Sequence, residues 1–433
     1  MFKNVLLGLC IFAALFTVLI FSGKIPIGGG STAVTGDVMV WGTLPSDTVD
    51  TLLQDYNLAA KTYHVSYKQI PEANFSARLI DALANGTGPD MILAPYQIIL
   101  SQFSKISPLP TTTVSEKIYK DAFVDGASVF WTPYGALALP VSIEPLVLFY
   151  NQSLFSKHGV SKPPVYWDEL NVLVPRLTIS DNRGGFIESA IALGTWNNIP
   201  YVKDILTTIV NQLGQSIVLQ QYINSIVSYD VLINSPISDK SEILPLTTAV
   251  RFFTGFSDYT KSTYTWNQNL PLARDLFTAE KLAMYIGYTG EYNAIHNSNQ
   301  KLDFRMSYLP QTKGYNTSVT GMRMYGLATL RASKNSSASF LTESTMAGGA
   351  WSPKIAESLS AISPLRTAVS ASNVDEVIGK SAMVARGWLD IYVGDTNDLF
   401  SKMFTEILTG RTLVNDAVDT FVGRFTNLYN GAK

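Results

Sequence analysis

The sequence predicts an α/β protein built on a mainly parallel sheet. Strand-like and helix-like runs alternate from Gly36 to Leu93, turn residues punctuate them, and the chain is long and apolar enough for more than one core. At about 150 residues per domain, 433 residues imply two or three folded units.

The first element is a short β-rich run, Asp37 to Trp41. Ser46 and Asp47 can cap a helix whose apolar face carries Val49, Leu52, Leu53, Tyr56 and Ala60. Val65, Tyr67 and Gln69 alternate as a second strand, and Phe75, Leu79, Ile80 and Leu83 make a second helical face. Gly86-Thr87-Gly88-Pro89 then breaks the chain before a third strand, Asp90 to Leu93. Such a βαβαβ unit requires helices on both faces of a parallel sheet. Ligands of such sheets gather beyond the carboxyl ends of the strands, which points to Trp41 through Leu44 and Ala94 through Gln97. Farther on, Ala136 to Pro140 and Leu146 to Tyr150 read as two strands flanking Val141 to Pro145, and helical patterns resume from Tyr166.

Composition and charge exclude several functions. With 32 Lys+Arg against 34 Asp+Glu the formal charge is −2, so no basic field exists for nucleic acid. Cys10 is the only cysteine, which rules out an intramolecular disulfide. His64, His158 and His296 lie far apart without metal-ligand spacing, and no metal or other cofactor is expected. Neither a GxSxG elbow nor a P-loop lysine is present.

The N-terminus belongs in a membrane. Residues 5–21 form an unbroken run of apolar or small side chains, preceded by Lys3 and followed by Ser22-Gly23-Lys24-Ile25-Pro26, a poor site for signal peptidase. Residues 1–24 are therefore expected to remain as an anchor with the rest of the chain outside, a cleaved signal segment being the alternative, and 25–36, which contains Gly28-Gly29-Gly30-Ser31, to form a flexible linker.

The order of motifs resembles the extracellular solute-binding proteins of family 1, the group that includes maltose-binding protein and serves ABC importers. The likeness runs from Val38-Met39-Val40-Trp41 through Ala82 to Asp90 and Ser107-Pro108-Leu109-Pro110 to the segment Leu139 to Asn151. It continues in Lys162 to Leu170, Phe277 to Met284, Pro364-Leu365-Arg366 and Glu406 to Arg411, followed by a C-terminal helix. This resemblance implies two α/β lobes joined by crossing segments, closing on a solute by a hinge motion. It places residues 37–142 and about 303–345 in one lobe, and 143–302 and about 346–433 in the other. A sugar or oligosaccharide ligand and ABC permease subunits are the implied partners.

Candidate ligand contacts follow from strand ends and family positions. Trp41 ends the first strand, Tyr96 and Gln97 follow the third, and Glu144 aligns with an acidic residue that accepts hydrogen bonds from sugar hydroxyls in the family. Trp196 and Asn197 lie in a polar loop after Ala190 to Leu193, while Trp266 and Tyr288 occupy positions where the family carries stacking aromatics. Each also has a plain reading: the aromatics as core or loop, Glu144 as a surface or hinge carboxylate. Where maltose-binding protein carries a Trp and an Asp–Arg pair, this chain has Ala94, Gln97 and Ile98, so the same maltodextrin contacts are not implied. Trp388 reads as interlobe packing. Two alternatives stay open: a ligand-sensing partner for a receptor, and an extracellular glycan-active enzyme with paired carboxylates.

Overall fold

The structure is a computed structural model that describes residues 34–60, 62–181, 185–223, 226–238, 241–315 and 318–431. The anchor expected at 5–21 and most of the linker lie outside these residues. Among the described residues no helix is long and apolar enough to cross a membrane.

The first five elements form in the expected order: β1 (Gly36–Gly42), α1 (Ser46–Ala59), β2 (Tyr63–Gln69), α2 (Phe75–Ala84) and β3 (Met91–Pro95). β1 pairs in parallel with β2 on one side and β3 on the other. α1 buries Val49, Leu53 and Tyr56, spaced at four and three residues on one stripe. Ser46 is not its cap. The helix starts after Pro45 with no capping side chain, and Asp47 complements the dipole from the first turn. α2 buries Phe75 and Leu79 completely, each contributing about 1.5–3 kcal/mol, whereas Ile80 faces solvent. β3 is central and therefore buried along its whole length. Asp90, expected as its first residue, instead precedes it, and its carboxylate accepts bonds from Met39 N–H and from Ser333, Lys334 and Asn335.

The two strands read on either side of Val141 to Pro145 are one. β4 (Leu139–Asn151) runs straight through, because its two halves pair with different partners. Downstream come β5 (Phe186–Ile191), β6 (Val218–Ile223), β7 (Ile226–Val231), β8 (Leu282–Tyr288), β9 (Phe304–Ser307) and β10 (Thr320–Thr329). The N-terminal half of β4 pairs antiparallel with β10, and its C-terminal half with β8 and β9. The sheet order β2-β1-β3-β10-β4-β8-β5 thus passes through two hydrophobic cores.

The first core holds Val38, Phe75, Ile92, Val141 and Ile143, and the second holds Leu146, Phe149, Ile191, Phe253 and Met284. The chain changes core three times: within β4 between Ile143 and Leu146, between Leu309 and Met322, and between Ala385 and Trp388. This corrects the expected division. Phe304 and Leu309 belong to the second core because β9 adds to the C-terminal half of β4, while Ile355, Leu365, Val369, Ala382 and Ala385 pack into the first. The C-terminal helices Val393–Leu408 and Val414–Tyr429 return to the second core through Phe400, Phe404, Phe421 and Phe425.

Candidate functional site

A polar and aromatic cluster lies where the cores meet. Glu144 sits at the crossing point of β4 and is paired in register with Arg323 on β10, with carboxylate and guanidinium 3.8 Å apart. The Arg323 guanidinium lies 4.4 Å from the Tyr288 ring centre and 5.4 Å from that of Tyr201. The two rings meet edge to face at 4.8 Å. The Asp204 carboxylate, in the first turn of the helix Val202–Gln212, faces the Tyr288 hydroxyl. Glu291 receives the Tyr285 hydroxyl at 2.8 Å and the Tyr288 N–H at 3.1 Å.

Local backbone geometry builds this cluster. Tyr201, at the N-cap of Val202–Gln212, has φ +60, a left-handed conformation that a bulky side chain adopts only at a cost of about 1–2 kcal/mol. In that conformation its ring lies against Tyr288 and Arg323. Gly290 lies beneath the Glu144 carboxylate. A Cβ there would stand 2.2 Å from Oε2, so a side chain at this position would displace the Glu144 carboxylate.

Burial dominates the electrostatics. It raises the Glu144 carboxyl above its usual range, with Arg323 opposing and Glu291 adding to the rise. It raises Asp204 as well, against the pull of nearby Lys203. For Arg323 burial works against the charge, but Glu144, Tyr288 and Tyr201 outweigh it and hold the guanidinium charged. Lys203 is engaged elsewhere, 2.6 Å from Asp390 on the third crossing segment.

The other candidates fall into different places. Tyr288 and Glu144 are in the cluster. Tyr96 is buried at the start of the helix Tyr96–Ser101, its hydroxyl accepts the Trp388 N–H at 3.5 Å, and burial raises its pKa. It pins the first core to the third crossing segment, and Trp388 is packed there as expected. Gln97, beside it, is half-buried. Trp41 belongs to the first core with the Lys68 ammonium 5.0 Å over its ring. Trp266 has no exposed surface and donates its indole N–H to Asn198 at 3.0 Å, so it is a core residue rather than a cleft wall. Trp196 stacks on Phe400 with an interplanar angle of 2°, and with exposed Asn197, Gln268 and Leu408 it lines a shallow depression beside the helix Val393–Leu408.

Sequence reasoning missed Arg323, Asp204 and Tyr201. Arg323 reads as an ordinary charge in an alternating strand, and only the long-range pairing of β10 with β4 brings it to Glu144. Asp204 reads as a helix-start acid. The pair Pro200-Tyr201 before that helix was the available signal for the third.

The cluster sits where the two cores meet, with Glu144 and Arg323 on the crossing strands and Tyr201 and Asp204 at the start of the helix Val202–Gln212. The sequence profile of the bacterial extracellular solute-binding proteins matches residues 51–372, and the chain belongs to that family. Its folded part is accordingly an extracytoplasmic binding domain. No curated protein sequence matches it. Among solved structures it is similar to the cyclic α-maltosyl-1,6-maltose binding protein from Arthrobacter globiformis, with TM-score 0.73, 14% identity, and 91% of this chain and 99% of that one covered. It is also similar to a cyclo/maltodextrin-binding protein complexed with maltotetraose, with TM-score 0.71, 14% identity, and 91% and 98% covered. A third is an ABC substrate-binding protein from Listeria monocytogenes in complex with cycloalternan, with TM-score 0.68, 15% identity, and 92% and 99% covered. These likenesses establish the two-lobe mixed α/β fold.

Proposed function

We propose that this protein is the solute-binding component of an ABC importer, that it takes a carbohydrate-like ligand between its lobes at the Arg323 cluster, and that it hands the ligand to membrane permeases. The supporting observation is the convergence of Glu144, Arg323, Asp204, Tyr201 and Tyr288 at the crossing of the lobes. Carboxylates and a guanidinium orient hydroxyl groups, and tyrosine faces receive the C–H faces of sugar rings. The cluster binds and performs no chemistry. The structural relatives named above bind a cyclic maltosyl-maltose, maltotetraose and cycloalternan, which favours the same class of ligand here. A thermal-shift screen against mono- and oligosaccharides tests this, because a ligand at 100 times its Kd adds about 2.7 kcal/mol. A panel without any stabilising sugar removes the carbohydrate assignment.

The apolar run at 5–21 is proposed to hold the protein at the membrane surface. Mass spectrometry of the protein from its native membrane decides this, since a mature N-terminus after Phe21 would sink the idea.

A further inference from the structure

The two lobes touch again through a β-hairpin. β6 and β7 form an antiparallel hairpin in which Tyr222 is opposite Val227 and Gln220 is opposite Tyr229. The alternation of side chains puts Tyr222 and Tyr229 on the same face. Tyr229 roots the hairpin in the second lobe. Its ring packs on that of Tyr429 at 5.7 Å, and Tyr429 meets Tyr392 at 5.3 Å and donates its hydroxyl to the Leu389 carbonyl at 2.6 Å. Leu389 directly follows the third crossing and packs against both cores, so the hairpin is braced beside that crossing.

Tyr222 reaches the other lobe. Its ring centre is 6.4 Å from that of Phe103 and 5.8 Å from that of Tyr134, the latter at an interplanar angle of 80°. Phe103 packs on the first core, and Tyr134 is half exposed at the turn between the short strands Trp131–Thr132 and Gly135–Ala136. An aromatic side chain rooted in one lobe and seated between two rings of the other is a contact that opening must break, because the two ends belong to different cores.

We propose that Tyr222 is an aromatic clasp between the lobes, one that favours closure without ligand and sets how readily the cleft opens. This rests on the two-lobe fold and is independent of which solute the protein binds. Aromatic pairs of this kind shift a two-state equilibrium by about three- to tenfold each.

The test is a distance measurement on the full chain without added ligand. Spin labels go on Leu58→Cys in the first lobe and Tyr259→Cys in the second, both strongly exposed, in a Cys10→Ser background. Tyr222→Ala is expected to raise the ratio of long to short separations about tenfold, while Tyr222→Phe keeps the unsubstituted distribution. Tyr134→Ala, made on the opposite lobe, is expected to cause a shift in the same direction, so a hairpin that collapses in Tyr222→Ala does not decide the matter. Distributions that superimpose for both alanine variants overturn the clasp. Because no sugar is present, this outcome is separate from failure of the carbohydrate reading.

Discussion

Arg323 stands opposite Glu144 in the pairing of β10 with β4, at the point where β4 leaves one core for the other. The pair is asymmetric: the Glu144 side chain is 11% exposed and the Arg323 side chain 36%. Glu144 therefore depends on its partner more than Arg323 does, and the cluster's charge balance turns on the arginine.

Arg323→Ala is expected to weaken ligand binding by about 1–3 kcal/mol, since it removes a donor array and a cation from between two tyrosine rings. It also strands a buried carboxylate. The partial exposure of Arg323 limits the stability loss to about 1–2 kcal/mol. Calorimetric titration with the best sugar from the screen, beside a melting curve, reads both. Unchanged affinity would remove Arg323 from the site.

Gly290→Ala should reduce affinity without unfolding the protein. The new methyl must push the Glu144 carboxylate aside, because 2.2 Å is far below any Cβ contact, and the carboxylate then loses its alignment with Arg323. Gly290→Ala with wild-type affinity would show that Glu144 takes no part in binding.

Stability is expected to fall as pH rises from about 4.5 to about 8. Glu343 is buried in the first lobe, receives the Thr329 hydroxyl at 2.8 Å, and has its carboxyl pushed up from 4.5 to about 8 by burial, with the hydrogen bonds opposing. Through that window the folded chain keeps a proton that the unfolded chain has lost, so the unfolded state gains with rising pH, by an amount on the order of a few kcal/mol. Glu188, Asp90 and Asp125 are held below their usual range despite burial by their partners, and their contribution is lost only on stronger acidification. Denaturant melts at pH 5, 7 and 9 of the native chain and Glu343→Gln check the sign. The variant should show the smaller decline, and an equal decline in both would exclude Glu343 as its source.

How far the sequence revealed all this depends on contact range. The β1 to β3 unit was legible because its strands are parallel neighbours with short helical returns, and Val49, Leu53 and Tyr56 announce their stripe within a few residues. Glu144 and Tyr288 were singled out by their family positions, the first between two strand-like runs and the second just after one. Arg323 was not, because its meaning lies in a partner 179 positions away on β4, and no local pattern encodes that pairing. Trp266 misled for the opposite reason: its family position suggested a ring for sugar stacking, yet Asn198 receives its N–H inside the core. Trp266→Ala is accordingly expected to cost about 3–5 kcal/mol in stability.

The left-handed backbone at Tyr201 supports a prediction that separates ring from strain. With φ +60, alanine at this position retains the penalty of a Cβ in that conformation and loses the aromatic contacts with Tyr288 and Arg323, whereas glycine loses the same contacts and is relieved of the penalty. Folding entropy works against glycine by about 0.5–1 kcal/mol, and the relief of about 1–2 kcal/mol exceeds it. Tyr201→Gly should therefore be as stable as Tyr201→Ala or more so, by up to about 1 kcal/mol, which reverses the usual order of these residues. Both should bind sugar more weakly than the native chain, and Tyr201→Phe, which keeps the ring, should bind more tightly than either. Denaturant midpoints and titrations of the three variants give the answer. Tyr201→Ala clearly more stable than Tyr201→Gly would show that the backbone relaxes out of the left-handed region, and equal affinity in all three would take the ring out of the site.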